Sequence, residues 1–266
     1  MATLTLTDGT EINAAHGGQP FEGDDPVVVL VHGAAMDRTV WQMQTRYLAH
    51  HGFRVAAIDL PGHGMTPGTP PETIEGYAAW LADVLANMNV GPVHLAGHSL
   101  GSFIALQVAA DHPELVASLM MLGTASAMPV HPVLQTAADE GDSLAWELMS
   151  GWAFGRSSKV GSHPSPGGSM VGATQALLSR AEDGVLGNDL RASSGYEGAL
   201  DAAPRVTAPV TLVLGDDDKM TPVRAAKDLI AAFSDPTVVV IPDCGHMMTI
   251  EAPDAVRRAM LVAFSD

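Results

Sequence analysis

The pentapeptide Gly-His-Ser-Leu-Gly at residues 97–101 follows a short apolar run and precedes a helix-prone stretch. A G-x-S-x-G sequence between a strand and a helix is typical of a nucleophile elbow, a tight turn that projects a serine hydroxyl. Small residues two before and two after the serine avoid clashes in such a turn. Because α/β enzymes bind ligands at the carboxyl ends of parallel strands, we predict that Ser99 is a nucleophile at that edge.

A serine hydroxyl needs a base to become a good nucleophile. His246 is the best-placed histidine, because it lies in a turn after the last apolar run and before the last helical pattern. Three aspartates at 216–218 follow the preceding apolar run, and one of them could orient the imidazole and stabilise its protonated form. The chain order Ser, Asp, His therefore predicts acyl-transfer chemistry, with the choice among the three aspartates open.

The oxyanion formed in acyl transfer needs backbone N–H donors. We expect one from Leu100, at the start of the helix after Ser99. The second is expected from Ala34, in the turn after the run at residues 27–31. Gly33 permits that turn to be sharp, and His32 is expected to stabilise it through a hydrogen bond, with a substrate contact as the alternative.

The elements that must position these groups alternate along the chain. Short β-branched runs are typical of strands buried on both faces of a parallel sheet; they lie at 27–31, 55–58, 93–96, 116–122, 210–214 and 238–241, after a hairpin signal at 3–9. Helical patterns lie between them, at 39–50, 73–88, 101–111, 222–233 and 253–264. Alternating strands and helices predict βαβ units and a mostly parallel sheet.

One stretch, residues 126–204, breaks the alternation. It contains helical patterns at 133–154 and 171–181 and a Gly/Ser/Pro-rich link at 155–168, and it is too long for an ordinary loop. We predict an α/β core at residues 1–125 and 205–266, with 126–204 inserted as a small helical lid between strands six and seven.

Together these motifs resemble the α/β-hydrolase fold family, over nearly the whole chain. The resemblance includes Asp-Leu-Pro-Gly-His-Gly at 59–64 and Gly-Asp-Asp-Asp-Lys-Met-Thr-Pro at 215–222. In that family the acid usually comes three residues after the glycine and four before the proline, which implies Asp218. The family's lid also falls between strands six and seven.

The subfamily is less specific. Ser99 disfavours the members that use an aspartate nucleophile, such as haloalkane dehalogenases and epoxide hydrolases. His-Gly-Ala-Ala-Met at 32–36 differs from the proline iminopeptidase pattern, and Ser-Leu-Gly-Ser at 99–102 from that of ring-cleavage carbon–carbon hydrolases. The chain resembles carboxylesterases and lipases, together with lactonases and perhydrolases. Alternatives are another serine-dependent reaction on the same site, carbon–carbon cleavage included, or a ligand-binding protein without turnover.

Apolar residues near these motifs could line an acyl pocket. Met36 adjoins the oxyanion turn, Met247 adjoins the histidine, and Trp152 and Phe154 lie in the inserted segment. Because that segment is short, we expect no long enclosed tunnel, and we predict uncharged esters with short-to-medium acyl chains. Cys244 is expected to be a small buried filler.

Composition restricts the partners. The 266 residues include 30 acidic and 13 basic side chains, a net charge of -17, which disfavours nucleic acid and anionic membranes. The single cysteine excludes an internal disulfide framework, and the aspartates at 216–218 lack a second ligand set, so we predict no metal. No cofactor is needed for the chemistry. The first ten residues show no basic start and no apolar segment, so we expect a cytoplasmic protein acting on a small ester.

Overall fold

An eight-stranded sheet runs through the centre of the protein, for which a computed structural model describes residues 2–5, 9–160 and 168–265. The strand order is β1-β2-β4-β3-β5-β6-β7-β8. Strand β2 runs antiparallel to both β1 and β4, whereas β3 to β8 are mutually parallel. The strands are β1 (Ala2–Thr5), β2 (Glu11–Ala15), β3 (Val27–Val31), β4 (Arg54–Ile58), β5 (Val93–His98), β6 (Val116–Leu122), β7 (Val210–Gly215) and β8 (Thr237–Ile241).

The central strands are buried on both faces, as their continuous apolar sequences predict. Every residue of β3, β5 and β7 is buried. Strand β8 closes one edge of the sheet, where Val238 and Val240 remain exposed. The predicted hairpin signal corresponds to β1, which pairs antiparallel with β2. The sequence of β2 gave no strand signal of its own. Residues 6–8, between the two strands, lie outside the described ranges.

Helices cover both faces of the sheet. The connections β3–α1–β4 and β4–α2–β5 move across the sheet in opposite directions, and right-handed crossovers then place α1 and α2 on opposite faces. Helix α12 packs on α1, and α3 packs on α2. No helix in the described ranges has the length and apolar character to cross a bilayer. These helices are α1 (Gln42–Ala49), α2 (Ile74–Met88), α3 (Leu100–Asp111), α10 (Lys227–Ala232), α11 (Met248–Glu251) and α12 (Pro253–Phe264).

In the described part of the segment between β6 and β7, all regular secondary structure is helical. Two helices replace the predicted pattern at 133–154, because Gly141 adopts a left-handed φ of +68° between them. The link at 155–168 contains a short helix, and its residues 161–167 lie outside the described ranges. The helices are α4 (Pro132–Asp139), α5 (Leu144–Ala153), α6 (Arg156–Val160), α7 (Met170–Leu178), α8 (Val185–Gly195) and α9 (Ala199–Ala202), called here the inserted helices.

Candidate active site

Ser99 occupies the turn between β5 and α3, in a backbone conformation that L-residues rarely adopt. Its φ is +54° and its ψ is -119°, a strained combination for a residue with a side chain. Only glycine fits two residues before and two residues after Ser99. A Cβ on Gly97 would lie 2.0 Å from the Gly101 carbonyl oxygen, and a Cβ on Gly101 would lie 2.5 Å from the His32 carbonyl oxygen. The Ser99 N–H donates to the Leu122 carbonyl oxygen at 2.9 Å, which ties the turn to β6.

Asp218 and His246 form a hydrogen-bonded pair at the ends of β7 and β8. His246 Nδ1 lies 2.8 Å from Asp218 Oδ2. Because a carboxylate only accepts, Nδ1 carries the hydrogen, and Nε2 is the nitrogen that can accept a proton. His246 Nε2 is buried and has no hydrogen-bond partner among the described residues. The ring therefore presents an unpaired proton acceptor.

The Asp218 carboxylate is fixed by further donors. Its Oδ1 accepts the N–H groups of Met220 and Thr221 at 2.8 and 2.9 Å, and its Oδ2 accepts the Thr221 hydroxyl at 2.7 Å. Burial alone would raise the pKa of Asp218, but His246 and these hydrogen bonds outweigh it and hold that pKa well below its usual range. The carboxylate is thus ionised and immobile, as orienting an imidazole requires.

The two neighbouring aspartates serve other contacts. Asp216 is exposed, and its N–H donates to the Ile241 carbonyl oxygen at 3.1 Å. Asp217 Oδ2 accepts the Arg156 N–H at 2.7 Å. Of the three consecutive aspartates, Asp218 is the one that the structure places against the imidazole of His246.

Two other histidines near Ser99 are neutral and hold backbone turns. His98 Nε2 donates to the His246 carbonyl oxygen at 2.8 Å. His32 Nδ1 donates to the Gly33 carbonyl oxygen at 2.9 Å, and its Nε2 accepts the Leu60 N–H at 3.1 Å. Burial, with the neighbouring histidine adding to it, lowers the pKa of each ring to about 3. His32 therefore contacts the turn that follows β3.

That turn carries Ala34, which lines the same cavity as Ser99. It is closed by a hydrogen bond from the Met36 N–H to the Gly33 carbonyl oxygen at 3.2 Å. Leu100 is the first residue of α3, so its N–H has no acceptor within the helix. The residue after Ala34 is strained as well, since Ala35 has a φ of +50°. The two predicted oxyanion donors thus come from a turn and a helix start that are both held by specific contacts.

A buried carboxylate of the inserted helices anchors this turn, and the sequence motifs did not reveal it. Asp189 on α8 accepts the Ala35 N–H at 2.8 Å, His63 Nε2 at 2.9 Å and the Tyr77 hydroxyl at 2.5 Å. Burial would raise the pKa of Asp189, but His63 and the hydrogen bonds lower it. For His63 the directions are reversed. Burial would lower its pKa, but Asp189 outweighs burial and raises that pKa. His63 and Asp189 therefore form a buried ion pair.

A cavity of about 390 Å³, called here the main cavity, opens over Ser99 and His246. No carboxylate is among the described residues that line it, and Lys219, which is exposed, brings a positive charge to its wall. Trp152 lines it, as the sequence predicts. Most of the remaining wall comes from the segment at 126–204, including Met128, Leu134, Met149, Leu190 and Ser193.

The other predicted pocket residues lie elsewhere. Met36 lines a second, smaller cavity beside Ser99. Phe154 and Met247 are fully buried in the hydrophobic core and are among the lining residues of neither cavity, so the structure does not bring them to the predicted pocket. Cys244 is buried, and burial raises the pKa of its thiol, which agrees with a packing role.

Comparison with known proteins identifies the family. The model of the alpha/beta hydrolase fold family matches residues 26–253. The chain therefore belongs to this family and is a hydrolase, which confirms the predicted α/β-hydrolase fold of the core and the resemblance drawn from the motifs.

Individual relatives differ in the reactions that their names describe. The chain is 31% identical to a pimeloyl-[acyl-carrier protein] methyl ester esterase of Aromatoleum aromaticum, over 86% of this chain and 94% of the relative. It is 27% identical to an (E)-2-((N-methylformamido)methylene)succinate hydrolase of Acinetobacter baylyi, over 97% and 95%. The crystal structure of the enol-lactonase from Burkholderia xenovorans is similar in fold, with a TM-score of 0.88 at 19% identity over the full length of both chains.

Proposed function

We propose that the protein is a serine hydrolase that cleaves carboxylic esters through an acyl-enzyme. The observation that carries this proposal is the state of His246. One ring nitrogen is held by Asp218, and the other is buried without a partner in the described residues, in a cavity that Ser99 also lines. A serine hydroxyl that comes within hydrogen-bond reach of such a nitrogen can lose its proton as it attacks a carbonyl carbon.

In the first half-reaction, Ser99 Oγ attacks the ester carbonyl carbon while His246 Nε2 takes the hydroxyl proton. Asp218 stabilises the imidazolium that forms. The N–H groups of Ala34 and Leu100 donate to the oxyanion. When the tetrahedral intermediate collapses, the carbon–oxygen bond to the alcohol breaks, and His246 returns the proton to the leaving alkoxide.

In the second half-reaction, water replaces the alcohol. His246 takes a proton from the water as its oxygen attacks the acyl-enzyme carbonyl. Collapse of the second intermediate releases the carboxylic acid and restores the Ser99 hydroxyl. The sum is ester plus water giving acid plus alcohol, so the cycle needs no cofactor.

The substrates are uncharged esters with a short-to-medium acyl chain. The wall of the main cavity is mostly apolar, and its volume of about 390 Å³ lies at the lower end of the range for small-molecule sites. The segment at 126–204 acts as the lid over the acyl chain of the substrate. The chain's net charge of -17 disfavours the approach of anionic substrates, whereas Lys219 on the cavity wall is positive. The 31% identical relative is by its name an ester hydrolase, which supports the reaction class.

A fluorophosphonate probe tests the mechanism, because it labels a serine only where a base activates it. Labelling of the wild type and none of Ser99→Ala is expected. A panel of esters of rising acyl length, beside lactones and diketones, then tests the reaction. Faster turnover of lactones or diketones would replace ester hydrolysis with another serine-dependent reaction, and an unlabelled Ser99 would indicate a binding protein.

A further inference from the structure

The loop that carries His246 touches residues 153–155, called here the α5 end, backbone to backbone. A Cβ on Gly245 would lie 2.3 Å from the Gly155 nitrogen, and a Cβ on Gly155 would lie 3.1 Å from the Gly245 nitrogen. The Ala153 carbonyl oxygen accepts the N–H groups of His246 and Met247 at 2.7 and 3.1 Å. The backbone of the proposed base therefore rests on the inserted segment as well as on the sheet.

Glu251, the last residue of α11, lies at this contact. Its Oε2 accepts the Gly155 N–H at 2.9 Å and the Gly245 N–H at 3.2 Å. One carboxylate oxygen thus joins the two backbones at the place where they touch, one residue before His246. Because buried N–H groups need an acceptor, loss of this oxygen would weaken the attachment of the loop to the α5 end.

The charge of Glu251 does not explain its place. The residue is only partly exposed, and burial raises its pKa although hydrogen bonds from Ser158, Gly155 and Gly245 lower it. A raised pKa means that folding disfavours the charged form of the carboxyl. Asp218 is the opposite case, because its partners outweigh burial. What Glu251 provides is therefore an acceptor of the right reach beside the histidine loop.

We propose that Glu251 is a positioning residue for His246, whose loop it fastens to the α5 end. The inference rests on the proposed ester hydrolysis, in which His246 Nε2 must reach the Ser99 hydroxyl. Asp218 sets the rotation of the imidazole through Nδ1, whereas Glu251 fixes the backbone from which the imidazole extends. Because a displacement of about 1 Å can lower turnover on the order of 10²-fold, both constraints matter.

Three variants of Glu251 in the full-length protein separate the reach of the side chain from its charge, with ethyl butanoate as the ester. Glu251→Gln keeps an oxygen at the same reach and should retain most of the wild-type kcat, with a Tm near that of the wild type. Glu251→Asp keeps the charge but is one methylene shorter, and Glu251→Leu has no acceptor. Both should lower kcat about 10²-fold with little change in KM.

The rate of fluorophosphonate labelling is the readout that a merely structural role would not move. It reports the activation of Ser99 by His246 and does not depend on ester binding. In Glu251→Asp and Glu251→Leu the labelling rate should fall in parallel with kcat, at a temperature where circular dichroism shows both variants folded. In Glu251→Gln it should stay near that of the wild type.

Two glycines test the other side of the contact. Gly155→Ala places a Cβ 3.1 Å from the Gly245 nitrogen, which is tight enough to shift the α5 end, so kcat should fall about tenfold. Gly151→Ala on α5 is the matched control, because its Cβ would meet no atom within 4 Å, and kcat should stay unchanged. Added to Glu251→Leu, Gly155→Ala should cost little more, since both act through one contact.

The outcomes are distinct for the two proposals. A lowered Tm with unchanged kcat and labelling rate in Glu251→Asp and Glu251→Leu overturns the positioning role, as does a loss in Glu251→Gln as large as in Glu251→Leu. Losses that simply multiply in the double variant overturn the link to the α5 end. If Glu251→Leu does not fold, Glu251→Asp and Gly155→Ala decide. Failure of all esters and of labelling in the wild type instead overturns the proposed function.

Discussion

The two walls of the main cavity are built on different principles. On the sheet side, Ser99, Asp218 and His246 follow the ends of β5, β7 and β8, and main-chain hydrogen bonds fix the loops that carry them. On the other side, the inserted helices contribute mostly apolar side chains, among them Leu134, Met149, Trp152 and Leu190. The sheet side thus holds the groups that can react, and the helical side sets the space in which they do so.

The helical side is nevertheless attached to the reactive side. The Ala153 carbonyl oxygen at the end of α5 accepts the His246 N–H at 2.7 Å. Asp189 on α8 accepts the Ala35 N–H beside the predicted oxyanion donor. Helices α5 and α8 are therefore a fixed wall in this structure, and a change in either should reach the chemistry through these hydrogen bonds. We therefore expect large losses of turnover from substitutions on the sheet side and graded losses of turnover from substitutions on the helical side.

The largest effect is expected from Ser99→Ala. Alanine keeps the Cβ and fits the turn between Gly97 and Gly101, so the protein should fold while turnover falls about 10⁶-fold. Ester turnover and thermal melting measured on the same preparation check both points. Near-normal turnover would remove the sheet side from the chemistry and overturn the proposed mechanism.

Asp218→Asn should have the next largest effect. The amide keeps the volume but stabilises the wrong imidazole tautomer and no longer stabilises an imidazolium, so turnover should fall about 10⁴-fold with little change in KM. Asp216→Asn and Asp217→Asn are matched controls two residues and one residue away in the same loop, and their effect should be small. If either control is the inactive variant while Asp218→Asn keeps its turnover, the acid is wrongly assigned.

The sheet side could be predicted from the sequence because its positions are set by backbone constraints. The glycines around Ser99 are required where any Cβ would clash, and β3, β6 and α12 have the same bounds as their apolar patterns. The order of the loops then follows from the order of the strands. This order predicts that one of the three aspartates meets His246, and the family resemblance implied Asp218, which hydrogen-bonds the imidazole.

The helical side could not be predicted, because it depends on side-chain packing between segments distant in the chain. Asp189 meets His63 and Tyr77 across more than one hundred residues, and an isolated aspartate on a helix gives no sign that it is buried. Met247 adjoins His246 and Phe154 lies in the inserted segment, yet both are buried in the core and line neither cavity.

Asp189→Asn tests whether the inserted helices support the oxyanion turn. It leaves the buried His63 without its counter-charge, so the unfolding free energy should fall by about 3–5 kcal/mol. It also loosens Ala35, and a misplaced oxyanion donor should lower turnover by up to about 10²-fold. Fluorophosphonate labelling of Ser99 should persist, because Asp218 and His246 are untouched.

Tyr77→Phe provides a graded version of the same test. It removes one of the three donors to Asp189 and leaves the ion pair with His63 in place, so both losses should be smaller than in Asp189→Asn. Full turnover in Asp189→Asn, despite a measured loss of stability, would mean that the helical side shapes the cavity without supporting the chemistry.

The smallest expected effect is a pH dependence of stability, which separates the His63–Asp189 pair from the rest of the network. The pKa of His63 is raised above its usual value, chiefly because Asp189 outweighs burial. This stabilisation is fully present below the ordinary imidazole pKa of about 6.5 and is lost as the pH rises through the raised pKa of the folded protein. At the acid end, the lowered pKa of Asp189 contributes stability that is lost as the pH falls through it.

The difference in unfolding free energy between the wild type and Asp189→Asn should therefore shrink as the pH rises from about 6 to 10, measured by denaturant melts. Asp139→Asn is the matched control, because it breaks an ion pair of α4 and α8 with Arg191, and arginine keeps its charge over this range. Its difference from the wild type should stay constant. A constant difference for Asp189→Asn as well would show that His63 is neutral in the folded protein, so that hydrogen bonding alone would hold the helical wall against the oxyanion turn.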